Sequence, residues 1–300
     1  MDLLSATLRE LRLESAGYRW LELGRAARVA FDRAGLRGVH HVARGHCELV
    51  QADGTVQPLT AGDLVIFPRG DAHLLRSPEA GTGPVVSSFD LAMRTPGNRL
   101  RAGGPGTEAV VVCGAFLVGE ADHPAWRGLP RTIHLPGVDG RPPDWLATLL
   151  EALAAEVFDG GPGSDLVMAR LSDALIVRAL RHYGHTDDRP GWLSGLRDPY
   201  VAPALEAIHA DPGRAWTVAG LASTAGLSRA AFAARFTRQV GEPVMRYVLT
   251  LRMQRAKALL RDGHTTVAAV AGRLGYRSDV AFAAAFKRET GSSPGAYRRS

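Results

Sequence analysis

The stretch GYRSDVAFAAAFKRETGSSPGAYRR, from Gly275 to Arg299, decides the fold, because a second version of it, GLSRAAFAARFTRQVGEPVMRY, occupies residues 226–247. In each copy two phenylalanines stand four residues apart after a glycine. They are Phe232 and Phe236 in the first copy and Phe282 and Phe286 in the second. A phrase that recurs at this distance indicates a duplicated structural unit rather than one continuous element.

Each copy has the pattern of a short helix, a glycine turn and a second helix. The short helices of TVAGLASTAG and TVAAVAGRLG begin after a threonine, whose hydroxyl can cap the exposed backbone N–H groups of a helix start. Gly226 and Gly275 end these helices, because glycine adopts the left-handed cap conformation with little strain. The spacing of the phenylalanines places both rings on one face of the following helix. The pattern predicts two helix-turn-helix motifs, at about residues 214–241 and 264–291.

Basic residues are concentrated in the same part of the chain. From Arg214 to Ser300 there are 15 Lys or Arg and four acids, a net charge of +11, whereas residues 1–213 hold 21 basic and 26 acidic residues, a net charge of −5. A basic segment of this kind indicates a polyanionic partner, although a solvated basic face is the plain alternative. The basic residues on the helix sides that the phenylalanines do not use are Arg229, Arg235, Arg238, Arg277, Lys287 and Arg288.

The segment between the two copies has a length that suits DNA. Residues 242–260, EPVMRYVLTLRMQRAKALL, can form one helix of roughly 18 residues, which is roughly 27 Å long. Successive major grooves on one face of a duplex lie about 34 Å apart. The spacer therefore favours two recognition helices that enter neighbouring major grooves.

These features together resemble a known family. Residues 198–300 are similar to the DNA-binding domain of the AraC/XylS transcription regulators, which has two helix-turn-helix motifs. The motif that carries the resemblance consists of Gly275, Tyr276, Ser278, Phe282, Phe286, Lys287, Gly291, Pro294 and Tyr297. The resemblance implies recognition helices at residues 228–239 and 278–290, and double-stranded DNA and RNA polymerase as partners.

By this resemblance, each recognition helix contacts DNA from its start and its next turn. The candidates in the first motif are Arg229, Ala230, Ala233 and Ala234 by the resemblance, with Arg235 and Arg238 from the basic side of the helix. Those in the second are Ser278, Asp279, Val280, Ala283 and Ala284 by the resemblance, with Arg277, Lys287 and Arg288 from the basic side. Positions 234 and 284 often carry a polar or basic residue in this family, whereas alanine can touch a thymine methyl but cannot hydrogen-bond to a base edge. Either the neighbouring arginines and Ser278 read the bases, or phosphate contacts and DNA shape dominate.

The N-terminal part has a different pattern. Residues 31 to about 135 are short β-type runs separated by Gly, Pro and Asp-Gly, which is typical of a sandwich or barrel. The run GDLVIFPRGDAH, from Gly62 to His73, fits G-x5-P-x-G-x2-H and resembles the second signature of the cupin barrels. The first signature departs from that family, because His40 and His41 are adjacent, and adjacent strand residues point to opposite faces. We therefore do not expect the standard cupin metal site or an enzyme activity.

The N-terminal segment as a whole resembles the cupin-type sensor domain that is fused to AraC-type DNA-binding domains, among them a sensor of reactive chlorine species. The resemblance implies an α+β chain, with a cupin-like β-barrel and linker helices followed by an all-α domain of two helix-turn-helix motifs joined by a long helix. The expected divisions are a sensor domain at residues 1–140, a helical linker at 141–190 and the DNA-binding domain at 198–300. Two leucine-striped helices in the linker, at 144–158 and 164–183, either pack within the chain or form a homodimer interface.

Three interpretations of the signal stay open. Cys113 matches the position of a cysteine in the oxidant sensor, so its oxidation, alone or with Cys47, would rearrange the barrel. Alternatively, His41, Cys47, His73 and Cys113 converge as a soft metal site, since zinc prefers thiolate and imidazole ligands. The third interpretation is a small organic effector in the barrel. A buried cysteine is most often an inert small hydrophobe, in which case no cofactor is needed.

The rest of the sequence argues against a membrane or secreted protein. The longest apolar run, residues 109–119, is too short to span a bilayer, and the first 20 residues lack the apolar core of a secretory signal. Two cysteines cannot build a disulfide framework. We therefore expect a cytoplasmic transcription regulator that is not an enzyme, with a metal-dependent cupin enzyme fused to a DNA-binding module as the competing class.

Overall fold

The computed structural model describes residues 4, 13–33, 35–79, 81, 83–118, 126, 128–186 and 189–299. The chain divides into two compact units. The cupin unit comprises residues 11–121 and 129–183, and the helical unit comprises residues 1–10, 122–128 and 184–300. The α+β class expected from the sequence is confirmed, with strands and three helices in the first unit and helices in the second.

The cupin unit is a nearly closed barrel of antiparallel and a few parallel strands. The strands are β1 (Leu13–Leu23), β2 (Arg28–Phe31), β3 (Arg37–Gln51), β4 (Val56–Thr60), β5 (Leu64–Ile66), β6 (His73–Arg76), β7 (Val86–Ser87), β8 (Arg99–Ala102), β9 (Ala109–Val118) and β10 (Ile133–Leu135). One helix, α1 (Ser88–Arg94), lies between β7 and β8 in the chain. Two more follow β10: α2 (Asp144–Asp159) and α3 (Ser164–Thr186). The leucine-striped segments predicted as helices are therefore helical, and each extends slightly beyond the expected end.

Strand β3 holds the barrel together. Its 15 residues pair with β9, β5, β6 and β4, all antiparallel, and β9 continues to β1 and then to β8. A strand that takes part in two sheets has to bend, and the register of β3 against β9 shifts between Val42 and Arg44. Gly45 follows with a φ of +78°, and an added Cβ there would clash with the carbonyl oxygen of Glu108. Glycine at this position therefore permits the bend.

A buried hydrogen bond joins helix α3 to the barrel. The Tyr18 hydroxyl and the Ser172 Oγ lie 2.6 Å apart, and both side chains are buried. Burial raises the pKa of Tyr18 to about 12. The ring fits because the neighbouring strand has Gly114 at this point, where any Cβ would run into the tyrosine. The strand register and the docking of α3 thus depend on each other.

The helical unit contains the predicted motifs. Its helices are α4 (Trp192–Arg197), α5 (Ala202–Ala210), α6 (Val218–Thr224), α7 (Arg229–Val240), α8 (Val244–Arg261), α9 (Val267–Arg273), α10 (Asp279–Thr290) and α11 (Pro294–Tyr297). Helices α6 and α7 form the first motif, and α9 and α10 form the second. The connecting helix α8 has 18 residues, as the spacer predicts. In the described residues no helix combines the length and the hydropathy needed to cross a membrane.

The two motifs use the same local chemistry. The Thr217 Oγ1 accepts a hydrogen bond from the backbone N–H of Gly220 at 3.0 Å, and Thr266 caps α9 in the same way at 3.2 Å. Ser228 and Ser278 cap the recognition helices α7 and α10. The turn glycines, Gly226 and Gly275, have φ values of +65° and +76°. Each cap contributes about 1 kcal/mol of helix stability, so the repeated residues stabilise the two motifs to a similar extent.

Aromatic packing fixes each recognition helix to its motif. The rings of Phe232 and Phe236 lie 5.8 Å apart and those of Phe282 and Phe286 lie 5.7 Å apart, all of them fully buried. In the second motif they pack with Met253, Leu260, Val270 and Leu274 in one core. The opposite sides of α7 and α10 are therefore turned to solvent.

We expect Tyr18→Phe to destabilise the cupin unit by about 1–3 kcal/mol, because the change leaves the buried Ser172 hydroxyl without this partner. Ser172→Ala should cost a similar amount, and the double variant should cost less than the sum of the two. The measurement is a double-mutant cycle from urea unfolding followed by circular dichroism. Strict additivity of the two changes would show that the hydrogen bond contributes nothing to the docking of α3.

Candidate nucleic-acid interface and sensor cavity

The first recognition helix, α7, presents a short and partly basic surface. Arg229, Ala230, Ala234 and Arg238 are exposed, and Ala233 is half-buried. Ser228 caps the helix, so its first N–H groups are ordered at the end where the candidate base contacts lie. This surface brings one arginine to the helix start and one to its third turn, with alanines between them. It can approach DNA closely because alanine adds little bulk.

Arg235 is placed differently from the sequence prediction. Its Nε donates to both carboxylate oxygens of Asp198, at 2.7 and 2.9 Å, and Asp198 is almost fully buried. The guanidinium carbon also lies 4.5 Å from the centre of the Tyr200 ring. Because its guanidinium is paired with Asp198 and its side chain is only 32% exposed, we assign Arg235 to the packing of α7 rather than to base reading. Helix periodicity could not reveal a partner 37 residues earlier in the chain.

The start of the second recognition helix, α10, is exposed: Arg277 and Ser278 precede the helix, and Asp279 and Val280 are its first two residues. The Val280 side chain is 76% exposed, which leaves an apolar branched group available for a thymine methyl. The Asp279 carboxylate accepts from the backbone N–H of Val280 at 3.0 Å, so it occupies the helix start where a phosphate would otherwise bind.

The next turns of α10 continue this surface. Ala284, Lys287 and Arg288 are exposed and Ala283 is half-buried. The Arg288 Nε lies 3.5 Å from a carboxylate oxygen of Glu289, which also pairs with Arg246 at 2.8 Å. Lys287 is therefore the more direct candidate for a phosphate contact in this part of α10.

In the cupin unit, the histidine that meets His73 is His40. Their Nε2 atoms lie 2.7 Å apart. His41 points to the other face, where its Nδ1 lies 3.1 Å from the backbone carbonyl oxygen of Asp63. The predicted grouping of His41 with His73 is therefore wrong. Because side chains alternate along a strand, the adjacent pair at 40 and 41 had to divide between the two faces.

The hydrogen bonds around His73 fix its tautomer. Its Nδ1 lies 2.9 Å from the carbonyl oxygen of Asp71, which can only accept, so Nδ1 carries the proton. The Nε2 of His73 is then an acceptor, and the Nε2 of His40 donates to it. The His73 ring is stacked between Phe67, at 3.6 Å, and Phe31, at 5.1 Å between ring centres. Burial lowers the pKa of His73 to about 4 and that of His40 well below its ordinary value, so both rings are neutral.

This pair does not fit the metal that the cupin fold implies. Two imidazole nitrogens bound to one tetrahedral ion at about 2.0–2.1 Å would lie about 3.3 Å apart, whereas a direct hydrogen bond joins these two. Among the described residues, no group of three His, Cys, Asp or Glu side chains is placed to hold a metal ion. The four-residue soft metal site considered from the sequence is therefore not assembled.

Both cysteines are buried in the barrel core. Cys47 and Cys113 belong to one apolar cluster and neither forms a disulfide. Burial raises the pKa of the Cys47 thiol to about 12, and burial together with the nearby Cys47 raises that of Cys113 well above its ordinary value. Redox-sensing cysteines have lowered pKa values and solvent access. Cys47 therefore has the surroundings of a small hydrophobic residue, whereas Cys113, at 8% exposure, borders a cavity.

A cavity of about 520 Å³ opens into the barrel beside Cys113. Its apolar wall includes Leu21, Val29, Phe31, Leu100 and Ala115. Polar residues line it as well: Arg19, Arg33, Arg37, Asp71, His73, Ser88 and Cys113. Arg19 and Cys113 are direct cross-strand neighbours of β1 and β9, so they project to the same face. Arg19 was not found from the sequence, because only the pairing of β1 with β9 reveals that it faces inward.

The comparisons with known proteins agree with this architecture. The Cupin family matches residues 2–185, and the Helix-turn-helix domain family matches residues 221–300. A putative AraC-like transcription regulator of Streptomyces lividans is 35% identical over 291 residues, which cover 95% of this chain and 91% of the relative. The RCS-specific HTH-type transcriptional activator RclR of Escherichia coli is 27% identical over 261 residues, 86% of this chain and 83% of the relative.

Among solved structures, the DNA-binding domain of AdpA in complex with a target DNA is 36% identical, and the match covers 34% of this chain and 91% of that one with a TM-score of 0.32. A cupin unit followed by paired helix-turn-helix motifs defines a DNA-binding transcription regulator. The chain belongs to the family of AraC-like transcription regulators.

We expect Arg277→Ala, and likewise Arg229→Ala, to weaken binding at particular base positions, by about 1–3 kcal/mol where the arginine reads a guanine. The measurement is a panel of binding curves on duplexes that each differ from a bound site by one base pair. A loss of equal size on every duplex would identify phosphate contacts instead.

Arg235→Ala is the matched control in α7. It should leave the base preferences unchanged and should lower the stability of the helical unit by about 1–3 kcal/mol, because the buried Asp198 carboxylate loses its guanidinium partner. An altered base preference in this variant would return Arg235 to the reading surface.

The neutral His73 should make the cupin unit less stable in acid. Its pKa lies at about 4 in the folded chain against an ordinary 6.5, so between these values the unfolded state binds more protons. Stability is therefore fully present above about pH 6.5 and falls as the pH drops towards 4, by on the order of 3 kcal/mol.

The matched variant is His73→Gln, because Gln offers a donor and an acceptor and does not titrate. Urea unfolding of both proteins at pH 7 and pH 5 should show a smaller loss in the variant. His209, whose pKa burial also lowers to about 4, lies in the helical unit and contributes equally to both proteins. Equal losses in the two proteins would contradict the assignment of a neutral His73.

Proposed function

We propose that this regulator detects a small organic effector, which binds in the barrel cavity and changes how the protein acts at its DNA sites. The observation that carries the proposal is the cavity itself, whose volume of about 520 Å³ falls in the range of about 300–1,000 Å³ typical of small-molecule sites. A largely apolar wall with a few polar groups is the usual composition of such a site.

The chemistry of the wall limits the kind of effector. Leu21, Val29 and Leu100 favour a molecule with a substantial apolar part. Arg19 offers a cation at the inner face, so the molecule should also carry an acceptor group. The Arg19 Nη1 is already bonded to the Asn98 side chain at 2.9 Å, which holds the guanidinium in place before any ligand arrives. Preorganisation of this kind favours binding.

Helix α1 is the part of the wall best suited to respond. None of its residues is fully buried, and Phe89 and Met93 on it line the cavity while remaining 41% and 72% exposed. Elements with few buried apolar contacts open at low free-energy cost. A ligand that packs against Phe89 and Met93 would shift the population of α1 towards one position, which is the differential binding that a switch requires.

Oxidation of Cys113 and a metal site are less well supported. The raised pKa values of both thiols oppose reaction with oxidants, and the histidines bond to each other. The remaining expectations stay predictions: RNA polymerase as a partner, a cytoplasmic location, the absence of enzyme activity, and a homodimer. A homodimer is favoured by Leu166 and Val167 on α3, which are 62% and 44% exposed.

We expect Ala115→Phe to abolish the response of a reporter promoter to the effector, because the added ring fills the cavity. DNA binding should be unchanged, since the substitution lies in the cupin unit. Val138→Phe, at a position that is 67% exposed and does not line the cavity, is the matched enlargement and should respond normally.

The effector itself can be sought by thermal shift of the full-length protein against a library of organic acids and their uncharged analogues. A compound that stabilises the wild type and the Val138→Phe variant, but not Ala115→Phe, supports the proposal. If instead Ala115→Phe keeps the cellular response and Cys113→Ser loses it, the signal is oxidation and the cavity is not the sensor.

A further inference from the structure

The two helix-turn-helix motifs are joined at a second place besides α8. Residues 211–214, here called the brace loop, connect α5 to the first motif. Asp211 makes two local hydrogen bonds. Its carboxylate accepts from the backbone N–H of Arg214 at 3.1 Å, and its backbone carbonyl accepts from the indole N–H of Trp216, just after the loop, at 2.8 Å. These two hydrogen bonds support the shape of the loop from within.

Arg252, in the middle of α8, binds this loop through two backbone carbonyl groups. Its Nε donates to Pro212 O and its Nη2 donates to Arg214 O, each at 2.7 Å. The planar guanidinium suits this task, because its N–H groups diverge in a rigid fork that reaches both carbonyls at once. A lysine could satisfy only one of them with comparable geometry.

The brace loop also touches the turn of the second motif. Gly275, between α9 and α10, has a φ of +76°, and an added Cβ there would overlap the carbonyl oxygen of Gly213. A Cβ at Gly213 would in turn overlap the carbonyl oxygen of Arg273. The guanidinium of Arg252 lies beside this contact, 5.8 Å from the centre of the Tyr276 ring. The lead-in to the first motif is thus packed, backbone on backbone, against the turn of the second.

We propose that Arg252 is a positioning residue: together with the Gly213–Gly275 contact it fixes the separation of the two recognition helices and so sets the number of base pairs between the DNA half-sites. Moving one half-site by a base pair shifts it by about 3.4 Å and turns it by about 35° around the duplex. A single connecting helix can follow such a change by bending at its ends. The contact between the brace loop and the turn at residues 273–275 lies off the axis of α8 and opposes such bending, because bending would pull the loop away from that turn.

This inference concerns only the DNA-binding function and does not depend on the effector proposal. It is tested by selecting bound duplexes from a randomised pool with the full-length protein and sequencing them. The wild type should enrich two half-site motifs at one dominant spacing. Arg252→Ala should enrich the same half-sites over several spacings, and its preference for the dominant spacing over a one-base-pair insertion should fall by about tenfold, the effect of losing two hydrogen bonds.

Gly213→Ala provides an independent variant, because its new methyl group pushes the brace loop away from the turn while Arg252 remains. It should broaden the spacing in the same way. Arg252→Lys retains the positive charge and the aliphatic stem but not the forked guanidinium, so it should enrich an intermediate range of half-site spacings. It serves as the deciding variant if circular dichroism shows that the alanine variants do not fold. Arg255→Ala, an exposed arginine on the same helix, is the control and should keep the wild-type spacing.

The outcome that overturns the proposal is a uniform loss. In that case a folded variant, whether Arg252→Ala, Gly213→Ala or Arg252→Lys, weakens binding equally at all half-site spacings. The dominant spacing then stays as sharp as in the wild type. Such a result would show that the contact between the brace loop and the turn stabilises the helical unit without setting its register on DNA. A broadened spacing in Arg255→Ala would likewise show that the effect is not specific to the brace.

Discussion

Burial of four phenylalanines is the interaction on which the DNA-binding half depends. Phe232, Phe236, Phe282 and Phe286 are fully buried, and each contributes about 1.5–3 kcal/mol of transfer free energy. Because the two rings of each motif lie on one side of a recognition helix, that helix has a single stable rotation about its own axis. Its opposite side is then necessarily exposed. The reading surfaces of α7 and α10 are thus a consequence of packing, before any contact with DNA is considered.

In the cupin unit, the corresponding constraint is the aromatic sandwich around His73. The ring is held between Phe31 and Phe67, and its two nitrogens are committed to Asp71 and His40. A histidine so placed is a rigid and uncharged part of the wall. The barrel therefore has the shape of a cupin, while this pair of histidines is committed to packing and to hydrogen bonds within the wall.

The sequence revealed what is local and repeated. The caps, the turn glycines, the aromatic pairs and the length of α8 all follow from short-range patterns, and the structure has each of them where the pattern predicts it. What it could not reveal depends on pairing between distant segments. Alternation along β3 says that only one of His40 and His41 faces inward, but the choice of His40 comes from the register against β9. The Arg235–Asp198 pair and the bonds of Arg252 to the brace loop likewise join positions about 40 residues apart.

The alanines on the recognition surfaces have a consequence for the genome that this regulator serves. If these alanines face the bases, a surface with Ala230 and Ala234 in one motif and Ala284 in the other would meet DNA through methyl contacts and close approach, and it would discriminate weakly among bases at those positions. Sites that share only a few guanines and a common groove shape would then be bound about equally well. We therefore expect the binding sites in its promoters to be only loosely related in sequence and hard to recognise from a strict consensus sequence.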